Sequence, residues 1–164
     1  MSRENVELAK ALLPEPSTDI VPLFRDDDGF ALVRKAFGPL VTDDFESVMV
    51  LGAETRTHAG LDGLRKNWLD WLEPWVTYRS TSEELIDVGE HVVVLLRNHG
   101  RRKDMEAEVE LIGATVLTFR EGKLAQWGDY THRADAFEAV GISDLPARDR
   151  EPVVRRDQDA YTAR

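Results

Sequence analysis

The chain has 164 residues, a formal net charge of −10 and no cysteine. Its 42% hydrophobic and 32% charged residues are typical of a folded globular domain rather than a disordered segment. The negative charge argues against nucleic-acid binding, which needs clustered Lys and Arg, and the lack of cysteine excludes disulfides and thiolate chemistry. No apolar run approaches the roughly 20 residues that span a membrane. The first residues, MSRENVELAK, lack the apolar core of a secretion signal, so we expect a cytoplasmic protein.

The first half of the chain predicts mainly helices. Residues 2–13 place apolar side chains on one helical face, and the prolines that follow end this helix. Residues 15–27 predict a linker that packs on the body of the protein. A second helix is expected from Asp26–Asp28, because carboxylates are favourable at a helix N-terminus, and a strand is expected at 45–51. The third helix carries an apolar stripe at helical spacing: Leu61, Leu64, Trp68, Trp71, Leu72 and Trp75.

The second half predicts a β-meander that ends in a short helix. The strands are expected at 77–87, 91–101, 105–120 and 123–132, and the helix at 133–140. Short turns join the strands, so an antiparallel sheet is expected. The whole order predicts an α+β domain at 1–142, in which a curved antiparallel sheet wraps around the N-terminal helices as a cone. Residues 143–164 are polar and predict a C-terminal tail.

Strand alternation selects a group of titratable side chains. Val93, Leu95, Arg97 and His99 share one face of their strand, and Trp127 and Asp129 share one face of the last strand. If both faces point toward the helices, Arg97 and Asp129 form a buried ion pair that lowers the pKa of Asp129. Asp129 would then act as base, His99 as acid and Arg97 as electrostatic anchor.

The opposite face of the sheet predicts a contact between two copies of the chain. Its apolar residues would be Val92, Val94, Leu96, Ile112 and Val116. A face this apolar would leave a large exposed patch on a monomer. We therefore expect a homodimer through sheet faces.

Two stretches, HAGLDGLRKNWLDWLEPW and TVLTFREGKLAQWGDYTHRADAFEAVGI, resemble the nuclear transport factor 2-like superfamily, and within it the SnoaL-like proteins. The segment GKLAQWGDY is also similar to the last strand of limonene epoxide hydrolases, in which the carboxylate at the position of Asp129 activates water. The resemblance implies a cone-shaped, cystatin-like α+β barrel. It also implies a pocket for a small apolar molecule bearing a carbonyl or an epoxide, and cofactor-free acid/base chemistry of cyclase, isomerase or hydrolase type. The expected substrate-binding residues are Trp127, Trp68, Trp71, Thr115, Leu117, Phe119 and His58.

Two functions stay open at this point. The chain is either such an enzyme or a non-catalytic ligand-binding or dimerisation domain in which the Arg97–Asp129 pair is only structural. No metal is expected: Glu106, Glu108 and Glu110 lie at alternate strand positions, about 7 Å apart, too far to share one ion easily.

Overall fold

The structure is a computed structural model that describes residues 2–142. The helices are α1 (Ser2–Leu12), α2 (Ile20–Arg25), α3 (Asp27–Phe37), α4 (Gly60–Leu72) and α5 (Arg133–Ala139), with a 3₁₀ turn at Gly38–Leu40. The strands are β1 (Val41–Leu51), β2 (Glu54–Ala59), β3 (Trp75–Val88), β4 (His91–Arg102), β5 (Glu108–Arg120) and β6 (Lys123–Tyr130). The predicted tail, 143–164, lies outside the described residues. No helix among residues 2–142 has the length and apolar character to cross a membrane.

The segment predicted as a linker contains a helix of its own. Oδ1 of Asp19 accepts hydrogen bonds of 3.1 Å from the backbone N–H groups of Val21 and Tyr78. The first bond caps α2, and the second ties it to β3. Three α2 side chains are buried, so the predicted packing of this segment is confirmed. The helix was missed because six residues are too few to show a helical period.

The sheet has six strands in the order β2-β1-β6-β5-β4-β3 and is open. The predicted meander from β3 to β6 is confirmed, with every neighbouring pair antiparallel. The pair β1–β6 is parallel, because β1 enters the sheet from the helical half of the chain. Strand β2, ETRTHA, was not predicted: it is a largely exposed edge strand and has no alternating apolar pattern.

The two faces of the sheet are covered by different helices. We call the face toward α1–α4 the inner face and the face toward α5 the outer face. The apolar side chains of the inner face are Val92, Val94, Leu96, Leu111, Leu117, Phe119, Leu124 and Trp127. The outer face carries Val93, Leu95, Ala114 and Val116, which pack with Ala136 and Phe137 of α5.

The face assignment of β4 was therefore wrong by one residue. Val92 to Leu96 are all buried, so alternation gives no contrast within this stretch. The residues expected inside, including Arg97, lie on the outer face. Conversely, Val92, Val94 and Leu96, expected outside at a dimer contact, belong to the core around the helices.

A β-bulge fixes the orientation of the last strand. The β5–β6 register shifts between Thr118, which pairs with Gln126, and Phe119, which pairs with Leu124, so that Ala125 is the extra residue. Because of the bulge, Leu124 and Trp127 both point to the inner face. The predicted inward orientation of Trp127 is confirmed.

Candidate functional site

Asp129 carries a buried carboxyl group near the end of β6. Its Oδ1 accepts a 2.8 Å hydrogen bond from the Thr115 hydroxyl and a 3.0 Å hydrogen bond from the Trp127 indole N–H. Its Oδ2 is buried and has no hydrogen-bond partner among the described residues. The local fold therefore engages Oδ1 with two hydrogen bonds, and the Trp68 side chain also stabilises the charged carboxyl group.

Burial raises the pKa of Asp129 to about 6. The hydrogen bonds from Thr115 and Trp127, together with the Trp68 side chain, act in the opposite direction, but they are outweighed by desolvation. The lowered pKa expected from an Arg97 partner is wrong. A carboxyl with this pKa can both give and accept a proton near neutral pH, which is the property that acid/base chemistry requires.

Asp129 lines an apolar cavity of about 220 Å³ between the helices and the sheet. We call this cavity the large chamber. Its walls come from α1, α2, α3 and α4 on one side and from Thr115, Trp127 and Asp129 on the other, with Trp68 at the centre of the helical wall. The lining is almost wholly apolar, so the chamber suits an apolar ligand.

A second cavity reaches the same carboxyl from the other side. This small chamber, of about 60 Å³, is also lined by Trp68 and Asp129, with Tyr78, Asn98 and Trp71 nearby. It shares part of its lining with a more polar cavity of about 330 Å³, which we call the vestibule. The two share Leu51, Trp71, Thr131 and His132. Asp129 thus lines both the large chamber and the small chamber, and the small chamber adjoins the polar vestibule.

Comparison with known proteins identifies the domain. The sequence profile of the SnoaL-like domain matches residues 12–127. The chain belongs to the SnoaL-like domain family. No curated protein sequence matches it at a significant level.

Solved structures share the fold of this SnoaL-like domain at low sequence identity. A protein described as a SnoaL-like polyketide cyclase from Jannaschia sp. CCS1 is 18% identical, with a TM-score of 0.60 over 88% of this chain and 94% of that one. TerC, co-crystallised with polyporic acid, is 18% identical, with a TM-score of 0.57 over 84% of this chain and 98% of that one. An NTF2-like protein from Burkholderia xenovorans LB400 is 20% identical, with a TM-score of 0.52 over 79% and 90%. These likenesses confirm the predicted fold class.

Arg97 and His99 lie on the outer face of the SnoaL-like domain, and their side chains contact residues other than Asp129. Arg97 donates a 3.0 Å hydrogen bond to Glu83 and lies 2.9 Å from Glu110, and His99 lies 3.4 Å from the same Glu110. The predicted Arg97–Asp129 ion pair is therefore wrong, and so is the sharing of the Asp129 carboxylate by His99. The reason is the one-residue error in the face of β4.

The other predicted residues divide between cavity walls and core. Trp68, Thr115 and Trp127 line the large chamber with Asp129, whereas Trp71 lines the small chamber and the vestibule. Two further residues, Leu117 and Phe119, are buried in the inner core and line none of the three cavities. His58 lies on β2, with its backbone against α4 at Gly63.

Sequence reasoning missed the polar residues that accompany Asp129. Ser80 lines the large chamber and Asn98 the small one, and the Ser80 hydroxyl donates a 2.6 Å hydrogen bond to Oδ1 of Asn98. Tyr78 packs edge-on against Trp68 and Trp71. Asn98 lies two residues after Leu96 and points to the same face of β4. Alternation would therefore have identified Asn98 as a site residue if the inner face of β4 had been known. Within residues 2–142 no group of three or more His, Asp or Glu is placed to hold a metal ion.

Proposed function

We propose that this SnoaL-like domain binds an apolar small molecule bearing a carbonyl group in the large chamber, and that Asp129 moves a proton to or from it. The observation that carries the proposal is the buried Asp129 carboxyl on an apolar cavity, with a pKa of about 6 and an Oδ2 atom that makes no hydrogen bond within residues 2–142. Arg97 and His99 have no part in it, because their partners are Glu83 and Glu110 on the outer face.

The chemistry that fits this site is enolisation. Ionised Oδ2 of Asp129 takes a proton from the carbon next to the carbonyl, and the electrons of the broken C–H bond move to the carbonyl oxygen. If the ketone is β,γ-unsaturated, the resulting dienolate regains the proton from Asp129 at the γ carbon, which moves the double bond and isomerises the ligand. Alternatively, the enolate carbon forms a bond to a second carbonyl, which closes a ring, and the oxygen of that carbonyl takes the proton from Asp129. In the hydrolytic version Asp129 takes a proton from water, the water oxygen bonds to an epoxide carbon as the C–O bond breaks, and the released alkoxide takes the proton from Asp129. None of these steps needs a cofactor.

The alternative is a binding domain that catalyses nothing. The observation that favours it is the wholly apolar character of the large chamber, which suits storage or transport of a ligand as well as catalysis. In that case the bonds from Thr115 and Trp127 to Asp129 only hold the floor of the chamber together.

Hydrogen–deuterium exchange separates the two functions. Aryl ketones and 1,3-diketones are incubated with the protein in D₂O, and exchange at the carbon next to the carbonyl is followed by NMR. We expect exchange with the unmodified protein and its loss in Asp129→Asn, while binding of the same ketones is kept. Asp135→Asn on α5 is the matched control and should exchange normally. Binding of ketones without exchange in the unmodified protein would support the binding domain instead.

The homodimer and the cytoplasmic location stay predictions. A smaller outer patch supports the homodimer: Ile86, Val88 and Tyr130 are only partly buried beside the α5 contact. Sedimentation velocity at micromolar concentration measures it, and a monomer there would refute it.

A further inference from the structure

The vestibule is lined by a buried arginine whose side chain makes no hydrogen bond within residues 2–142. The Arg102 side chain is only 8% exposed, and it lines the vestibule at the end of β4. Its guanidinium lies over the Trp75 ring, 5.6 Å from the ring centre. The nearest carboxylate oxygen is Oδ1 of Asp104, 3.6 Å from Nε, which is too long for a hydrogen bond.

Arg133 shows how this fold satisfies a comparably buried arginine elsewhere. Its side chain is 11% exposed, and it donates to the backbone carbonyls of Gly113 and Leu96 at 3.1 and 2.9 Å. No such hydrogen bond to the Arg102 guanidinium occurs among residues 2–142. Acceptors for this guanidinium therefore come from solvent or from a ligand in the vestibule, which Arg102 lines.

Two carboxylates of the vestibule, Glu54 and Asp70, share one arginine, Arg56. Arg56 donates a 3.0 Å hydrogen bond to Glu54 and lies 3.9 Å from Asp70. The Nδ1 atom of His132 is engaged with the Thr131 hydroxyl at 3.0 Å. Asp104 is 66% exposed, so water weakens its attraction for Arg102. Among the described residues, Arg102 is thus the vestibule arginine whose guanidinium makes no hydrogen bond to a protein acceptor, its one ion pair being the 3.6 Å contact with Asp104.

We propose that Arg102 makes the vestibule an anion subsite, which binds a carboxylate at the polar end of the ligand. The subsite deepens the proposed function, on which its role in catalysis rests. A planar carboxylate matches the fork of N–H donors on a guanidinium. The Trp75 ring, over which the guanidinium lies, helps to orient these donors. The ligand class is an amphipathic acid: its carboxylate lies on Arg102, its body passes Trp71, and its carbonyl end lies at Asp129 in the large chamber.

Paired probes test the subsite without knowledge of the natural ligand. Binding of 2-naphthoate and of the uncharged 2-naphthamide is measured by isothermal titration calorimetry. Wild-type protein is expected to bind the carboxylate about tenfold more tightly than the amide, as suits one charge-assisted contact. Arg102→Gln should abolish the difference. Arg101→Gln is the matched control, since Arg101 is the neighbouring arginine, donates to the Met105 carbonyl and does not line the vestibule, and it should keep the difference.

Several results would overturn the subsite. Equal binding of the two probes by wild-type protein, no binding of 2-naphthoate at millimolar concentration, or a preference retained in Arg102→Gln would each do so. If Arg102→Gln does not fold, Arg102→Lys decides, because it keeps the charge without the planar fork and should reduce the preference several-fold. Asp129→Asn should keep the preference for 2-naphthoate over 2-naphthamide. If the wild-type protein shows this Arg102-dependent preference but no exchange of ketone hydrogens, the proposed function is refuted and the subsite stands.

Discussion

The Thr115 hydroxyl donates a 2.8 Å hydrogen bond to Oδ1 of Asp129, directly across the antiparallel pair of β5 and β6. This cross-strand contact, together with the Trp127 indole, fixes the carboxyl plane and engages only one of its oxygens. It also lowers the pKa of Asp129, against the larger effect of burial. The Thr115 hydroxyl therefore controls both the position and the proton affinity of the candidate base.

Replacing Thr115 should shift the titration of Asp129 upward. Thr115→Val removes a hydrogen bond to the charged form at nearly unchanged volume, so we expect the pKa of Asp129 to rise above its value of about 6, by roughly one unit. A ¹³C NMR titration of the carboxyl carbon measures it. Thr118→Val is the control on the same strand, because the Thr118 hydroxyl contacts His91 instead. An unchanged titration in Thr115→Val would refute the role of this hydrogen bond.

The buried carboxyl should make stability fall as pH rises. The pKa of Asp129 is raised from 3.8 to about 6, so the folded state holds its proton more tightly than the unfolded state. The resulting penalty is absent below pH 4, grows between pH 4 and 6, and is complete above pH 6, where it is on the order of 3 kcal/mol.

Asp129→Asn removes this penalty but buries an amide N–H₂ group. We therefore expect the variant to be about 2 kcal/mol more stable than wild type at pH 8, and no more stable at pH 4. Urea unfolding at both pH values measures the change. Asp44→Asn is the control with the opposite sign, since the nearby Thr42 side chain and the hydrogen bond from Arg120 lower the pKa of Asp44. A stability gain in Asp129→Asn that is the same at both pH values would contradict the shifted pKa.

The outer-face network should matter for stability and not for ligand binding. Glu83 contacts Arg97 and Arg133. Its partial burial alone would raise the pKa of its carboxyl group. The hydrogen bonds from both arginines outweigh this effect and hold the pKa of Glu83 below its usual value. The stabilisation is present above the unfolded pKa and is lost as the pH falls through the lower folded pKa.

Glu83→Gln should accordingly cost about 1 kcal/mol at pH 7, after allowance for solvent screening, and less at pH 3. Arg97→Gln should lower stability by a similar amount and leave the affinity for ketones unchanged. Thermal unfolding and calorimetry measure the two effects, and Arg79→Gln, which breaks the more exposed contact with Glu108, serves as the control. Weakened ketone binding in Arg97→Gln would contradict this prediction and show that Arg97 contributes to ligand binding.

A glycine contact should hold the wall of the large chamber in place. A Cβ atom at Gly63 of α4 would lie 2.5 Å from the backbone carbonyl carbon of His58, so Gly63→Ala would push α4, with Trp68, away from β2. We expect a loss of about 2 kcal/mol or more in urea unfolding. Gly38→Ala is the matched control, because a Cβ there meets nothing within 4 Å. Equal stability of the two variants would contradict this close packing.

The sequence by itself determined the α+β order, the meander from β3 to β6 and the inward orientation of Trp127 and Asp129. These follow from local signals: helical apolar spacing in α4, short turns between the strands, and polar and apolar alternation on β6. It could not determine the face of β4, because Val92 to Leu96 are buried on both sides of the sheet and alternation then carries no contrast. Only the tertiary structure placed Arg97 outside beside Glu83, brought Asn98 inside, and revealed Arg102 in the vestibule. The pKa of Asp129 was likewise decided there, since desolvation depends on what packs around a carboxyl and not on its neighbours along the chain.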